Sequence, residues 1–247
     1  MYHFFVTPAN VENGRIFIDG EDVNHIKNVL RMKEGDGLYI NDGAGTEYLC
    51  EISKISPDLI WCEIRSEGNP GTEPAVEYYL FQGLPKADKF EYVIQKSVEL
   101  GAHEIIPLKT RRSIVKYDEK KEKNKLERWN KISESAAKQS RRGIIPQVTK
   151  IMDLKEALEY AQKFDLNLIP YENFKSMEET RKILSQVRPG MRVGIFIGPE
   201  GGFEQEEVLR ANEAGAKSIS LGSRILRTET AAISLLSVMN FLTEEDA

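Results

Sequence analysis

Two glycine-rich segments carry the residue types best suited to a ligand site. In the first, the apolar run Ile195-Phe196-Ile197 leads into Gly198-Pro199-Glu200-Gly201-Gly202-Phe203, and Glu204-Gln205-Glu206-Glu207 then opens a helix. In the second, Leu221-Gly222-Ser223-Arg224-Ile225-Leu226-Arg227-Thr228-Glu229-Thr230 also runs from a strand into a helix, with two arginines and a glutamate close together. Glycine lets backbone approach a ligand or turn with positive φ. A tight strand-to-helix turn accounts for one or two glycines. Three glycines with a proline and a glutamate point to a site, and the two segments together read as two walls of one pocket. The pocket is not a phosphate cradle. No Gly-x-x-x-x-Gly-Lys-Ser/Thr occurs, and a glutamate-heavy helix start repels phosphate. Gly43-Ala44-Gly45 lies between two strands and reads as a hairpin turn.

A third group is basic. Lys86 and Lys89 follow one predicted strand, Lys109, Arg111, Arg112 and Lys116 the next, and Arg141 and Arg142 a long helix. The net charge of −5 conceals this asymmetry. Residues 1–70 carry 6 Lys/Arg and 12 Asp/Glu, a net of −6, whereas residues 86–150 carry 17 and 9, a net of +8. A local basic face suits phosphates even on an acidic chain. Lys120 to Lys125 read instead as a solvated helix face.

These segments sit on a regular scaffold. Residues 4–7, 14–18, 37–40, 47–53 and 59–64 are short apolar runs separated by turn signals, with a helix over 21–30 whose predicted buried face is Val23, Ile26, Val29 and Leu30. This pattern predicts a small barrel. The stretch 67–72, rich in glycine and polar residues, marks a boundary between domains at 1–70 and 73–247. Beyond it, strands over 76–82, 103–108, 147–151, 166–170, 192–198 and 218–221 alternate with helices over 88–100, 118–140, 154–162, 177–187, 204–214 and 230–242. Alternation of this kind predicts a mostly parallel α/β sheet covered on both faces.

Composition excludes other classes. With 40% hydrophobic and 30% charged residues the chain is an ordinary globular protein rather than a disordered one. No signal peptide or membrane span is read, and two cysteines and three scattered histidines give neither a disulfide framework nor a metal site, so a reducing cytoplasm is expected. No Gly-x-Ser-x-Gly elbow is present, and His25 and His103 read as packing residues.

The two glycine segments, with Gly83-Leu84-Pro85-Lys86-Ala87-Asp88-Lys89, the stretch Ile94 to Gly101 and His25-Ile26-Lys27-Asn28-Val29-Leu30-Arg31-Met32, closely resemble the motifs of the RsmE family of bacterial small-subunit rRNA uridine N3-methyltransferases, of the SPOUT superfamily. The resemblance covers nearly the whole chain. It implies an N-terminal PUA-like RNA-binding β-barrel, a SPOUT domain with a C-terminal trefoil knot, bound S-adenosyl-L-methionine and a homodimer. It also implies methylation of a uridine N3 in 16S rRNA, either as free rRNA or in the assembled small subunit. The implied cofactor contacts are Tyr171, Glu172, Gly198, Pro199, Glu200, Gly201, Gly202, Leu221, Gly222, Ile225, Leu226, Arg227 and Thr230. The implied RNA contacts are His3, Arg31, Lys86, Lys89, Arg111, Arg112, Lys116, Arg141 and Arg142. The family's N-terminal arginine is replaced here by His3, and its Glu-Gln by Lys138-Gln139.

Methyl transfer to N3 requires in-line placement and loss of the N3 proton. Arg227, Glu229, Arg112 and His3 are the candidates for the chemistry. Glu229 or Glu200 could take the proton, or Arg227 or Arg112 could stabilise the uridine anion while water takes it. A ribose 2′-O-methyltransferase and a non-catalytic RNA-binding assembly factor are the competing readings. Product analysis separates the first, and cofactor binding the second.

Overall fold

The protein is described from a computed structural model covering residues 1–86, 88–113 and 117–244. The chain divides into two compact units, one of residues 1–73 with 137–145 and one of residues 74–136 with 146–247. The segment holding Arg141 and Arg142 thus packs with the N-terminal unit.

In the N-terminal unit, β1 (His3–Phe5), β2 (Val11–Glu12), β3 (Arg15–Ile18), β4 (Gly37–Asn41), β5 (Glu47–Ile55) and β6 (Ile60–Gly68) form one sheet in the order β1-β4-β5-β6-β3-β2. Its edges, β1 and β2, end an open hydrogen-bonded path, so the predicted barrel is a half-barrel. The ladder slips between Leu49 and Cys50 and again between Ile52 and Lys54. Such irregularities bend a strand, and the sheet encloses a core of Phe4, Ile16, Ile18, Leu38, Ile40 and Ile60. Cys50 and Cys62 lie within this core as free thiols, and burial pushes both pKa values up to about 12. The Asp42-Gly43-Ala44-Gly45 turn joins β4 to β5, with Asp42 Oδ1 accepting the Ala44 and Thr46 N–H groups.

The helix expected over 21–30 is two pieces. A short α1 (Glu21–Asn24) runs into a π-helical turn, His25–Val29. The wider turn rotates Val29 out to 64% exposure, correcting its predicted burial, while Ile26 stays fully buried. Arg31 follows with φ of 54°, a left-handed conformation that a residue with a side chain seldom adopts.

In the second unit, β7 (Glu77–Gly83), β8 (Ala102–Lys109), β9 (Gln147–Val148), β10 (Met152–Asp153), β11 (Leu166–Pro170), β12 (Arg192–Ile197) and β13 (Lys217–Ile219) form an all-parallel sheet ordered β10-β8-β7-β12-β11-β13, with β9 on β8. The helices are α2 (Lys89–Glu99), α3 (Glu119–Ser140), α4 (Leu154–Ala161), α5 (Met177–Leu184), α6 (Gln205–Glu213) and α7 (Thr228–Thr243). Alternate residues of the central strands feed two cores. Tyr78, Leu80, Ile195 and Ile197 pack with Val93 of α2 and Leu235, Leu236 and Met239 of α7. Phe81 and Phe196 stack at 4.2 Å on the other face, with Ala157 of α4 and Val208 and Ala211 of α6.

The highly charged α3 carries a buried aromatic anchor. Trp129 is 1% exposed and packs edge-on to Phe90 at 4.5 Å, while Lys120, Lys121 and Lys123 face solvent. Truncating a buried tryptophan removes apolar contacts and leaves a cavity. Trp129→Ala is expected to lower the unfolding free energy by about 3–5 kcal/mol, read by urea denaturation, whereas Lys121→Ala should leave it unchanged.

Candidate active site

The carboxyl ends of β11, β12 and β13 are adjacent in the sheet, and ligands of parallel sheets bind at such ends. A cavity of about 500 Å³ opens there. Its walls are Pro170 to Glu172 after β11, Ile197 to Phe203 after β12 and Ser220 to Thr228 after β13, with Lys89 and Ala231 completing it. Every expected cofactor contact except Thr230 lines this cavity, and Thr230 lies exposed in the first turn of α7.

The first glycine loop is held from several sides. Gln82 Nε2, at the end of β7, donates to Thr228 Oγ1 at 2.7 Å, and that hydroxyl donates to the Gly198 carbonyl at 2.6 Å. Gln82 and Thr228 are both buried. Gly202 N–H closes a turn onto the Pro199 carbonyl with φ of 68°. A side chain at Gly83 would lie 2.5 Å from the Pro199 nitrogen, so two strand ends meet here with no room for a Cβ. Gly222, in the second loop, has φ of 105°. Gly201 does not share that conformation, and what limits a Cβ there is the Arg112 side chain at 3.2 Å.

The charged groups are mostly paired. Glu200 Oε1 accepts the Lys86 N–H at 3.0 Å and the Lys89 ammonium at 3.3 Å. Burial works to raise its pKa, but hydrogen bonds from its own N–H and that of Lys86, with Lys89, hold it below the usual carboxylate value. Glu229 Oε1 lies 3.9 Å from Lys89 Nζ, and its Oε2 is buried without a hydrogen-bond partner among the described residues. The Arg227 side chain is exposed and forms no ion pair or hydrogen bond among the described residues. It sits at the N-cap of α7 with φ −66° and ψ 154°.

Residues 72–240 match the model of the RNA methyltransferase domain, and residues 18–65 that of the RNA methyltransferase PUA domain. The chain belongs to the RNA methyltransferase family. It is 40% identical over 98% of its length to the ribosomal RNA small subunit methyltransferase E of Bacillus subtilis, covering 96% of that protein. The Neisseria gonorrhoeae enzyme of the same name, solved bound to S-adenosyl methionine, is 31% identical with a TM-score of 0.84, and the match covers 98% of each chain. A Legionella pneumophila methyltransferase solved with bound SAM is 32% identical, also with a TM-score of 0.84, over 98% of this chain and 97% of that one.

Within this RNA methyltransferase, the basic residues expected at RNA divide by environment. Arg31 and Arg141 of the N-terminal unit and Lys86 of the second are exposed. Arg142 is not, which corrects its reading as a phosphate contact. It is 2% exposed, and its guanidinium is bound to the Glu73 carboxylate through Nε at 3.2 Å and through Nη2. His3 stacks on Tyr39 at 4.9 Å, with Nδ1 3.3 Å from Glu47. Burial lowers its pKa and Arg141 assists, outweighing Glu47, so the charge that would attract a phosphate is disfavoured. Arg111 and Arg112 pair with Glu206 and Glu204 of the α6 region. Lys116 lies outside the described residues. Lys89, expected at RNA, lines the cavity. Gln82 and Thr228, which hold the loop, carry no signal in the sequence beyond standing next to the glycine and arginine motifs.

Because the folded pKa of Glu200 is depressed, the stability it contributes is complete above its ordinary value of 4.5 and is lost as pH falls through the lower folded value. Glu200→Gln is therefore expected to flatten the acid limb of the unfolding free energy below that value, measured by urea denaturation at a series of pH values. At neutral pH the variant should be the less stable of the two.

Proposed function

We propose that this chain transfers a methyl group from S-adenosyl-L-methionine to N3 of a uridine in small-subunit ribosomal RNA. The cavity suits such a cofactor on three grounds. Its volume lies in the range of small-molecule sites. Gly198, Gly202 and Gly222 keep side chains out of its backbone walls. Glu172 and Glu200 offer acceptors to a polyhydroxylated, cationic ligand. When bound, the cofactor supplies an activated methyl on a sulfonium. The chain's own residues must then place the uridine in line and handle the N3 proton.

The observation that carries the mechanism is the contrast between Arg227 and the two carboxylates. Glu200 is occupied by two donors and acidified, which makes it a weak base. Glu229 pairs with Lys89 and is not part of the cavity wall. Arg227 lines the cavity with its guanidinium uncommitted. In this reading Arg227 stabilises the anion formed as N3 loses its proton to water, and the target base is unstacked to reach the cavity. The exposed Arg31, Lys86 and Arg141 steer the RNA phosphates.

The same reading includes a trefoil knot formed by the C-terminal segments around the cofactor, a homodimer and a cytoplasmic location. Val238, Phe241 and Leu242 of α7 are 46%, 86% and 54% exposed at helical spacing, an apolar stripe suited to a second copy. No helix of the described residues is long and apolar enough to cross a membrane.

Gly222→Val forces a branched side chain into a left-handed conformation. The variant is expected to lose S-adenosyl-L-methionine binding in calorimetric titration while keeping its circular dichroism spectrum. Arg227→Lys keeps a charge but not the planar fork. It should retain cofactor affinity and lose most of its turnover, with residual activity rising with pH as uridine ionises unaided. Parent-like turnover with a flat pH profile would shift the chemistry to Glu229.

A further inference from the structure

The loop after β8 is built to present two arginines to α6. Thr110 and Ser113 close a turn, with Ser113 N–H on the Thr110 carbonyl at 3.1 Å and Thr110 N–H on Ser113 Oγ at 3.1 Å. The Arg111 N–H is fixed by Glu207 Oε1 at 2.9 Å, and Glu207 is itself only 4% exposed. Its other oxygen, Oε2, accepts the Glu204 N–H at 2.8 Å, capping α6. The turn is thus pinned to the helix whose first residues follow the glycine loop.

From this pinned turn the Arg112 guanidinium spans two parts of the loop. Nε donates to Glu204 Oε1 at 2.8 Å, and Nη1 donates to the Gly201 carbonyl at 2.5 Å. Carbons Cβ and Cδ lie where a Cβ on Gly201 would be only 3.2 Å away. Gly201 lines the cavity, whereas Arg112 does not. A phosphate contact would leave the fork facing solvent. Here the side chain stays 42% exposed, but two of its guanidinium nitrogens are committed, one to a carboxylate and one to a main-chain oxygen.

We propose that Arg112 is a positioning residue for the cofactor loop, clamping Gly201 to the start of α6, rather than a group that contacts RNA or the reacting uridine. This rests on the cavity being the S-adenosyl-L-methionine site. The clamp needs two donors in one plane, which arginine has and lysine lacks. An ordinary phosphate contact, by comparison, tolerates lysine as a point charge.

The test is calorimetric titration of S-adenosyl-L-methionine into the full-length parent, Arg112→Ala and Arg112→Lys. It is accompanied by binding of a small-subunit rRNA fragment and by steady-state kinetics. Both variants are expected to bind cofactor about tenfold more weakly, the equivalent of one charge-assisted hydrogen bond. KM for cofactor should rise, kcat at saturating cofactor should hold, and RNA affinity should not change. Thermal unfolding of each variant, followed without cofactor, checks that it is folded. Parent-like cofactor affinity in Arg112→Ala with weakened RNA binding would overturn the proposal. So would full recovery of cofactor affinity by Arg112→Lys. Failure of the parent itself to bind S-adenosyl-L-methionine would instead remove the functional reading on which the proposal stands.

Discussion

The cavity depends on one buried relay, from the Gln82 amide to the Thr228 hydroxyl to the Gly198 carbonyl. It joins the end of β7, the start of α7 and the loop after β12, three places far apart in the chain. Each group in it would be costly to bury alone, since an unpaired polar group away from water forfeits its hydration. The Gln82 NH2, the Thr228 hydroxyl and the Gly198 carbonyl satisfy one another and fix where the glycine loop begins, while Gln82 Oε1 is buried without a partner among the described residues. The rest of that loop then follows from backbone geometry, through the Pro199–Gly202 turn and the close approach of Gly83 to Pro199.

Charge acts around this relay in a second, softer layer. Lys89 reaches Glu200 and Glu229, and Arg112 reaches Glu204 and the Gly201 carbonyl. Exposed ion pairs contribute little to global stability. Their value here is in orientation, because Lys89 tethers Glu200 and Arg112 tethers the Gly201 carbonyl, two neighbouring residues of the same loop. This arrangement also separates the cations by task. Those with carboxylate partners shape the cavity, while Arg227, lacking one among the described residues, remains available to a ligand.

The N-terminal unit shows a comparable separation. Arg142 is buried against Glu73, which also accepts the Gly143 N–H at 2.9 Å, and so ties residues 137–145 into this unit. Its neighbour Arg141, at φ 58°, is exposed. Two adjacent arginines thus have opposite environments. The π-helical turn at His25–Val29 likewise keeps Ile26 in the core while turning Val29 to solvent.

Much of this was legible in the residues alone. Short apolar runs bounded by turn signals placed nearly every strand, and their alternation with longer helical segments placed nearly every helix, because a run that must be buried and a break that must turn leave different residue types in the chain. Glycine content located both cavity loops, since a loop that must present bare backbone or adopt positive φ has few other residues to use. What the sequence could not determine was partnership. Nothing local distinguishes Arg142 from Arg141, or marks Lys89 as a cavity residue, because a salt bridge is chosen by which carboxylate the fold brings near. The same holds for Gln82 and Thr228, 146 residues apart. Hydrogen bonds and ion pairs are short-ranged and directional, so only the tertiary structure, by setting distance and angle, decided which polar residues build the site and which face solvent.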